Sequence, residues 1–141
     1  MLMDVYSVVV YSMIGIVLML LGNFLIDLMV PCHFPTEIKN GNTAVGWLCA
    51  GSFIGIGLII KAAIGSSYYA AVEESLTNGI ISSAIYFVVG IVVFIVGYIV
   101  VDIANKKYKL NEEIGSGNTA AGIFVFGIFV GLGLIISGAL A

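Results

Sequence analysis

The chain has 141 residues, of which 61% are apolar and only 9% charged, against roughly a quarter charged in ordinary soluble domains. A domain of this size leaves much of its surface facing solvent, so this composition excludes a water-soluble globule and requires lipid as the missing solvent. With a formal net charge of −3 and no Arg, the chain offers no basic face for nucleic acid.

In chain order, the first apolar run extends from Val5 to Ile26. No Lys or Arg precedes it and it is too long for a signal-peptide core, so it is expected to persist as a transmembrane helix. A polar connection from Asp27 to Asn42 leads to a second run, Thr43 to Gly65. After residues 66–75 a third run spans Leu76 to Val101, and the connection Asp102 to Asn118 leads to a fourth, Thr119 to Leu140. Each covers the length of about 20 helical residues that crosses a hydrocarbon core of about 30 Å. A β-barrel would need alternating segments of about ten residues, whereas these runs are apolar on all sides. The fold class is therefore an all-α integral membrane protein of four transmembrane helices.

Boundary residues fit this reading. Asn42 and Asn118 directly precede the second and fourth spans, where a side-chain oxygen can cap free amides; Thr77 and Asn78 stand near the start of the third. Tyr6, Tyr11, Tyr68, Tyr69 and Tyr86 lie near one set of span ends and Trp47 near the other, as interfacial aromatic belts do. Four lysines, Lys39, Lys106, Lys107 and Lys109, fall in the two polar connections, against Lys61 alone on the opposite side. The positive-inside rule then places both connections in the cytoplasm and both termini outside. Lys61 is expected to snorkel to its interface and pair with Glu73 or Glu74. Cys32 and Cys49 are expected to stay reduced, and Cys32-His33 lacks the further ligands of a metal site. No cofactor is expected.

The chain also matches itself. Residues 37–63 and 113–139, offset by 76, share 15 identities in 27 pairs. The polar set Glu37, Asn42 and Thr43 falls in register with Glu113, Asn118 and Thr119. Upstream, at an offset of 75, Tyr11, Gly15, Gly22 and Asp27 align with Tyr86, Gly90, Gly97 and Asp102. The chain thus reads as two tandem repeats, 1–65 and 76–141, joined by residues 66–75. Each repeat has two spans, so both insert the same way, and a pseudo-two-fold axis along the membrane normal is expected. Gly51 with Gly55 and Gly127 with Gly131 form equivalent GxxxG motifs that predict close helix packing, within a protomer or between protomers of a homo-oligomer.

The duplicated pattern of Asp at the end of one helix, then Glu-Ile-x-x-Gly-Asn-x-Ala-x-Gly opening a glycine-rich return helix, resembles the YjfL family of small bacterial inner-membrane proteins, a family of unknown function. The resemblance implies a bacterial inner-membrane location, a four-helix two-repeat fold, and a loose association with envelope-stress proteins. It implies no catalytic residues. Pro31 and Pro35 in the first connection, and Lys61 where the second copy has Ser137, depart from the pattern.

Asp27, Glu37 and Asn42 with Asp102, Glu113 and Asn118 form the candidate polar site. Acids near a membrane are costly and invite a functional reading, and rings of carboxylate and carbonyl oxygens suit hard cations. The competing reading makes each Glu a loop anchor and each Asn a helix cap. Two functions follow: a small oligomeric channel or transporter for an ion or small solute, or a non-transporting scaffold recruiting a peripheral envelope-stress protein. No GxSxG, Walker loop or HExxH supports an enzyme.

Overall fold

The computed structural model describes residues 2–70 and 75–141, with backbone only at 68–70. Four long helices, α1 (Leu2–Met29), α3 (Thr43–Ala70), α4 (Leu76–Ala104) and α6 (Thr119–Leu140), are long and apolar enough to cross a membrane. Two short helices lie in the connections, α2 (Phe34–Lys39) and α5 (Leu110–Gly115). The spans begin near the expected residues, but α1 and α4 each extend three residues further at their C-terminal ends. At about 1.5 Å per residue these 28- and 29-residue helices are longer than the hydrocarbon core is thick. Sequence reading treats both connections as plain loops; α2 and α5 escape it because a six-residue helix has too few turns to show a period.

The bundle is organised around α3, the most buried span. The α3 and α6 backbones run parallel: a Cβ on Gly122 would come within 2.6 Å of the Ala44 Cα, and one on Gly133 within 2.5 Å of the Gly55 Cα. Nearer the other end, Ser66 donates to the Leu140 carbonyl. Lipid chains give apolar helices no hydrophobic reason to associate, so contact this close, allowed by missing side chains, supplies the packing energy instead. On the α4 side, Phe94 stacks on Phe129 with centroids 5.0 Å apart, and Tyr98 tilts against Phe129 at the same distance. Gly55 makes room for the Phe94 ring, which would lie 2.7 Å from an added Cβ. Helix α4 therefore packs against both α3 and α6, while α1 runs antiparallel along α3, Gly22 facing Ile56 and Gly15 facing Ile60.

One sequence expectation, the pseudo-two-fold axis, needs correction. Gly51 and Gly55 face α6, but nothing stands within 4 Å of a Cβ added to Gly127 or Gly131. The α6 side of the contact is made by Gly122 and Gly133 instead, with the Phe126 and Phe129 backbone between them. Equivalent residues of the two hairpins therefore do not meet each other, as a pseudo-two-fold axis through the α3–α6 contact would require. The hairpins lie side by side, because α4 fills the angle between α3 and α6 and leaves α1 on the outer flank of α3. Tyr11, near the start of α1, is buried against the bundle. Tyr68 and Tyr69 are described by backbone alone, and the proposed partners of Lys61, Glu73 and Glu74, lie outside the described residues.

Gly133→Ala is expected to destabilise the detergent-solubilised protein by about 1–3 kcal/mol, the usual cost of overpacking, read as a lowered thermal unfolding temperature. Gly65→Ala, where an added Cβ meets nothing within 4 Å, should leave that temperature unchanged or raise it.

Candidate functional site

The duplicated polar motif builds two helix-to-helix turns. Helix α2 ends as Gly41 takes φ +78°, a left-handed conformation that glycine adopts without Cβ strain. The Gly41 amide donates to the Ile38 carbonyl at 3.0 Å and the Asn42 amide to the Glu37 carbonyl at 2.9 Å, the paired bonds of a Schellman stop. Asn42 also stands directly before α3: its Oδ1 accepts from the Val45 amide at 3.3 Å, and its Nδ2 donates to Glu37 Oε2 at 2.8 Å. The second turn repeats this chemistry. Gly117 has φ +88°, and the amides of Gly117 and Asn118 donate to the carbonyls of Ile114 and Glu113 at 3.1 and 2.9 Å. Asn118 Nδ2 donates to Glu113 Oε2 at 2.6 Å, and its Oδ1 accepts from Ala120 and Ala121. Every defined residue of the Glu-x-x-x-Gly-Asn core thus shapes the turn, since the glycine reverses the chain, the asparagine caps the next helix, and the glutamate holds the asparagine.

Both turns lie at one end of the bundle, tied by a bond the sequence does not reveal: Asn42 Nδ2 donates to the Ile114 carbonyl at 3.0 Å. Asp27 shares no hydrogen bond with either Glu–Asn pair. Its side chain, 10% exposed, accepts from the Phe34 amide at 2.8 Å and lies 3.1 Å from His33 Nδ1, an ion pair when His33 is protonated. Asp27 thereby supplies the first amide of α2 with the acceptor that His33, whose side chain makes no cap bond, does not provide. Asp102, half-buried at the matching place on α4, borders a shallow hollow with Lys106, Lys109 and Asn111. Among the described residues no three His, Cys, Asp or Glu side chains stand close enough together to hold a metal ion. The six candidates therefore resolve into two Glu–Asn pairs and two separate aspartates.

Besides the Asn42–Ile114 bond, sequence reading misses three further polar contacts. Buried Tyr98 donates to Asn111 Oδ1 at 3.0 Å, tying α4 to α5. Ser52 donates to Asn23 Oδ1 at 2.8 Å, joining α1 to α3, and its hydroxyl also lies 2.9 Å from the Cys49 carbonyl. The third is the Asp27–His33 contact. Only α1's lone internal Asn23, unexpected in an apolar run, points to any of these in advance. Cys32 and Cys49 are both free, and burial pushes the Cys32 thiol up, with Glu37 and then Asp27 adding to the rise.

A four-span bundle with an apolar exterior defines a multi-pass membrane protein. The chain belongs to the family described as Domain of Unknown Function (DUF350), which it matches over residues 1–140. It is 22% identical over 134 residues to the UPF0719 transmembrane protein YshE of Bacillus subtilis (strain 168), covering 95% of this chain and 92% of that protein. No solved structure matches. Membership in a membrane family of unknown function is thus shown, and the narrower YjfL name is not established.

Asn42→Ala should cost more than Asn118→Ala, because only Asn42 also bonds the other turn. A cap alone is worth about 0.5–2 kcal/mol, and the difference is measurable as unequal falls in thermal unfolding temperature. A thiolate is the reactive form, so with its thiol pushed up, Cys32 should alkylate more slowly than a free thiol at neutral pH and gain rate as pH rises. Asp27→Asn, which removes one acid and keeps an acceptor for Phe34, should speed that reaction at fixed pH.

Proposed function

We propose that this protein is a non-transporting scaffold of the bacterial plasma membrane that presents α2 and α5 at the cytoplasmic face to a peripheral protein. The supporting observation is that three of the four acids which would form a cation entrance are engaged in shaping the turns, Asp102 being the exception. Glu37, Glu113 and Asp27 each accept a bond that shapes a turn. Phe94, Phe129 and Tyr98 fill the space between α4 and α6, where a passage would need polar lining. Lys39, Lys106, Lys107 and Lys109 are exposed at the same end, with Glu112 neutralising Lys109 at 3.3 Å. Four lysines in the turns against Lys61 at the other end support a cytoplasmic position for the turns, and the exposed Lys106, Lys107 and Lys109 suit a partner with an acidic docking segment. An envelope-stress protein is the candidate partner that the family resemblance suggests.

The alternative, a channel or transporter with Asp27 and Asp102 at its mouth, predicts the opposite outcome in vesicles. Purified protein in liposomes under a potassium or proton gradient is expected to give no flux above protein-free vesicles. In cells, a photo-crosslinker at exposed Tyr108 is expected to capture a peripheral protein, and capture should fall severalfold when Lys106, Lys107 and Lys109 are replaced by Ala. A flux abolished by Asp27→Asn with Asp102→Asn would replace the scaffold by a transporter.

A further inference from the structure

The α3–α6 contact joins two different faces of what is, in sequence, one helix written twice. On α3 the face is Ala44, Gly51 and Gly55; on α6 it is Gly122, Phe126, Phe129 and Gly133. Moved by the 76-residue offset, the α3 face becomes Ala120, Gly127 and Gly131 on α6, and the α6 face becomes Gly46, Ala50, Phe53 and Gly57 on α3. Both translated faces are vacant: a Cβ added at Gly46, Gly57, Gly127 or Gly131 meets nothing within 4 Å. Each chain therefore carries one filled copy of this contact and one unfilled half at either flank.

Burial shows the same imbalance at several independent places. Ile59 is fully buried, its Cγ2 seated 2.5 Å from an added Gly90 Cβ, while its counterpart Ile135 is 70% exposed. The counterpart of Gly90 is Gly15, which lines a groove of about 530 Å³ between α1 and α3 with Gly57 and Ile60. Phe87 and Ser83 are buried on α4, whereas the matching Ser12 and Val8 on α1 are exposed in that groove. At the turns, Ile114 is fully buried and accepts from Asn42, while Ile38 is 52% exposed. Contacts within each hairpin, by contrast, are preserved: Gly22 meets Ile56 as Gly97 meets Leu132, and Gly15 meets Ile60 as Gly90 meets Ile136. What differs between the hairpins is whether another hairpin lies beside them.

We propose that copies of this chain assemble head to tail in the bilayer, α6 of one copy entering the α1–α3 groove of the next and repeating the α3–α6 contact. The occupant is a second copy because the filled contact within the chain already shows which surface fits. In the groove, Ile135 would take beside Gly15 the seat that Ile59 takes beside Gly90. Gly127 and Gly131 would face Ala50, Phe53 and Gly57 of the second copy, and Asn118 would gain the Ile38 carbonyl. Such an interface uses unlike surfaces and closes into a ring or continues as a row according to its rotation, as heterologous contacts do. The inference goes beyond the scaffold reading and does not depend on it.

The test uses the full chain in membranes with Cys32→Ser and Cys49→Ala as background. Gly46→Cys and Ala120→Cys occupy open positions, so neither should disturb the fold, and on differently tagged chains the proposed contact brings them within disulfide reach. Oxidation should give a linked dimer when both variants are co-expressed and none when either is expressed alone. Linkage within one variant alone, or none in the mixture, overturns the proposal. In lipid nanodiscs the wild-type assembly should exceed one chain in mass, and Gly131→Leu should reduce it to single chains with unchanged helical circular dichroism. A monomeric wild type, or a Gly131→Leu assembly of unaltered mass, also overturns it.

Discussion

Two helix backbones held against each other in a solvent that gives apolar surfaces no reason to associate are the constraint on which this structure depends. Lipid treats Leu and Ile as it treats itself, so the α3–α6 pair must gain its stability from proximity. Proximity requires side chains to be absent where the axes approach, and Gly51, Gly55, Gly122 and Gly133 provide that absence. Once α3 and α6 lie parallel, the rest follows geometrically. Their first turns come to one end, Asn42 reaches the Ile114 carbonyl, and α4 can place Phe94 and Tyr98 against Phe129.

The polar motif that first suggests a site is, in the structure, the device that lets two long helices follow each other through a short third one. A chain leaving the hydrocarbon must satisfy the last carbonyls of one helix and the first amides of the next without drawing lipid-facing backbone into the open. The Glu–Asn pair does both within six residues, and the glycine between them makes the reversal possible. The carboxylates Glu37 and Glu113 thus serve the shape of the turns. The surface of the turns carries the exposed lysines Lys39, Lys106, Lys107 and Lys109.

Much of this was readable before the fold, and the limits have physical causes. The four spans announce themselves because about twenty apolar residues in succession have one common explanation, and Asn118 is recognisable as a cap from position alone. The duplication also shows in sequence, since Glu37 and Asn42 recur as Glu113 and Asn118. Which glycines make contact was not readable: Gly51 and Gly127 occupy the same position in the motif, yet only the first is packed within the chain. Sequence similarity records that two helices can make the same contacts; it does not record which neighbour each one has. The partners of Asp27 were hidden for a related reason. An acid near a membrane reads as a site until its partners appear, and those partners, His33 and the Phe34 amide, lie six and seven residues away across a turn that periodicity does not describe.

The parallel contact between α3 and α6 can be tested by measuring the distance between spin labels at Thr43 and Thr119, the exposed first residues of these helices. In dilute protein in lipid, the parallel arrangement predicts a separation near the roughly 10 Å spacing of packed helices, lengthened by the label arms. A separation approaching the roughly 30 Å thickness of the hydrocarbon core would place the two turns on opposite faces and contradict it.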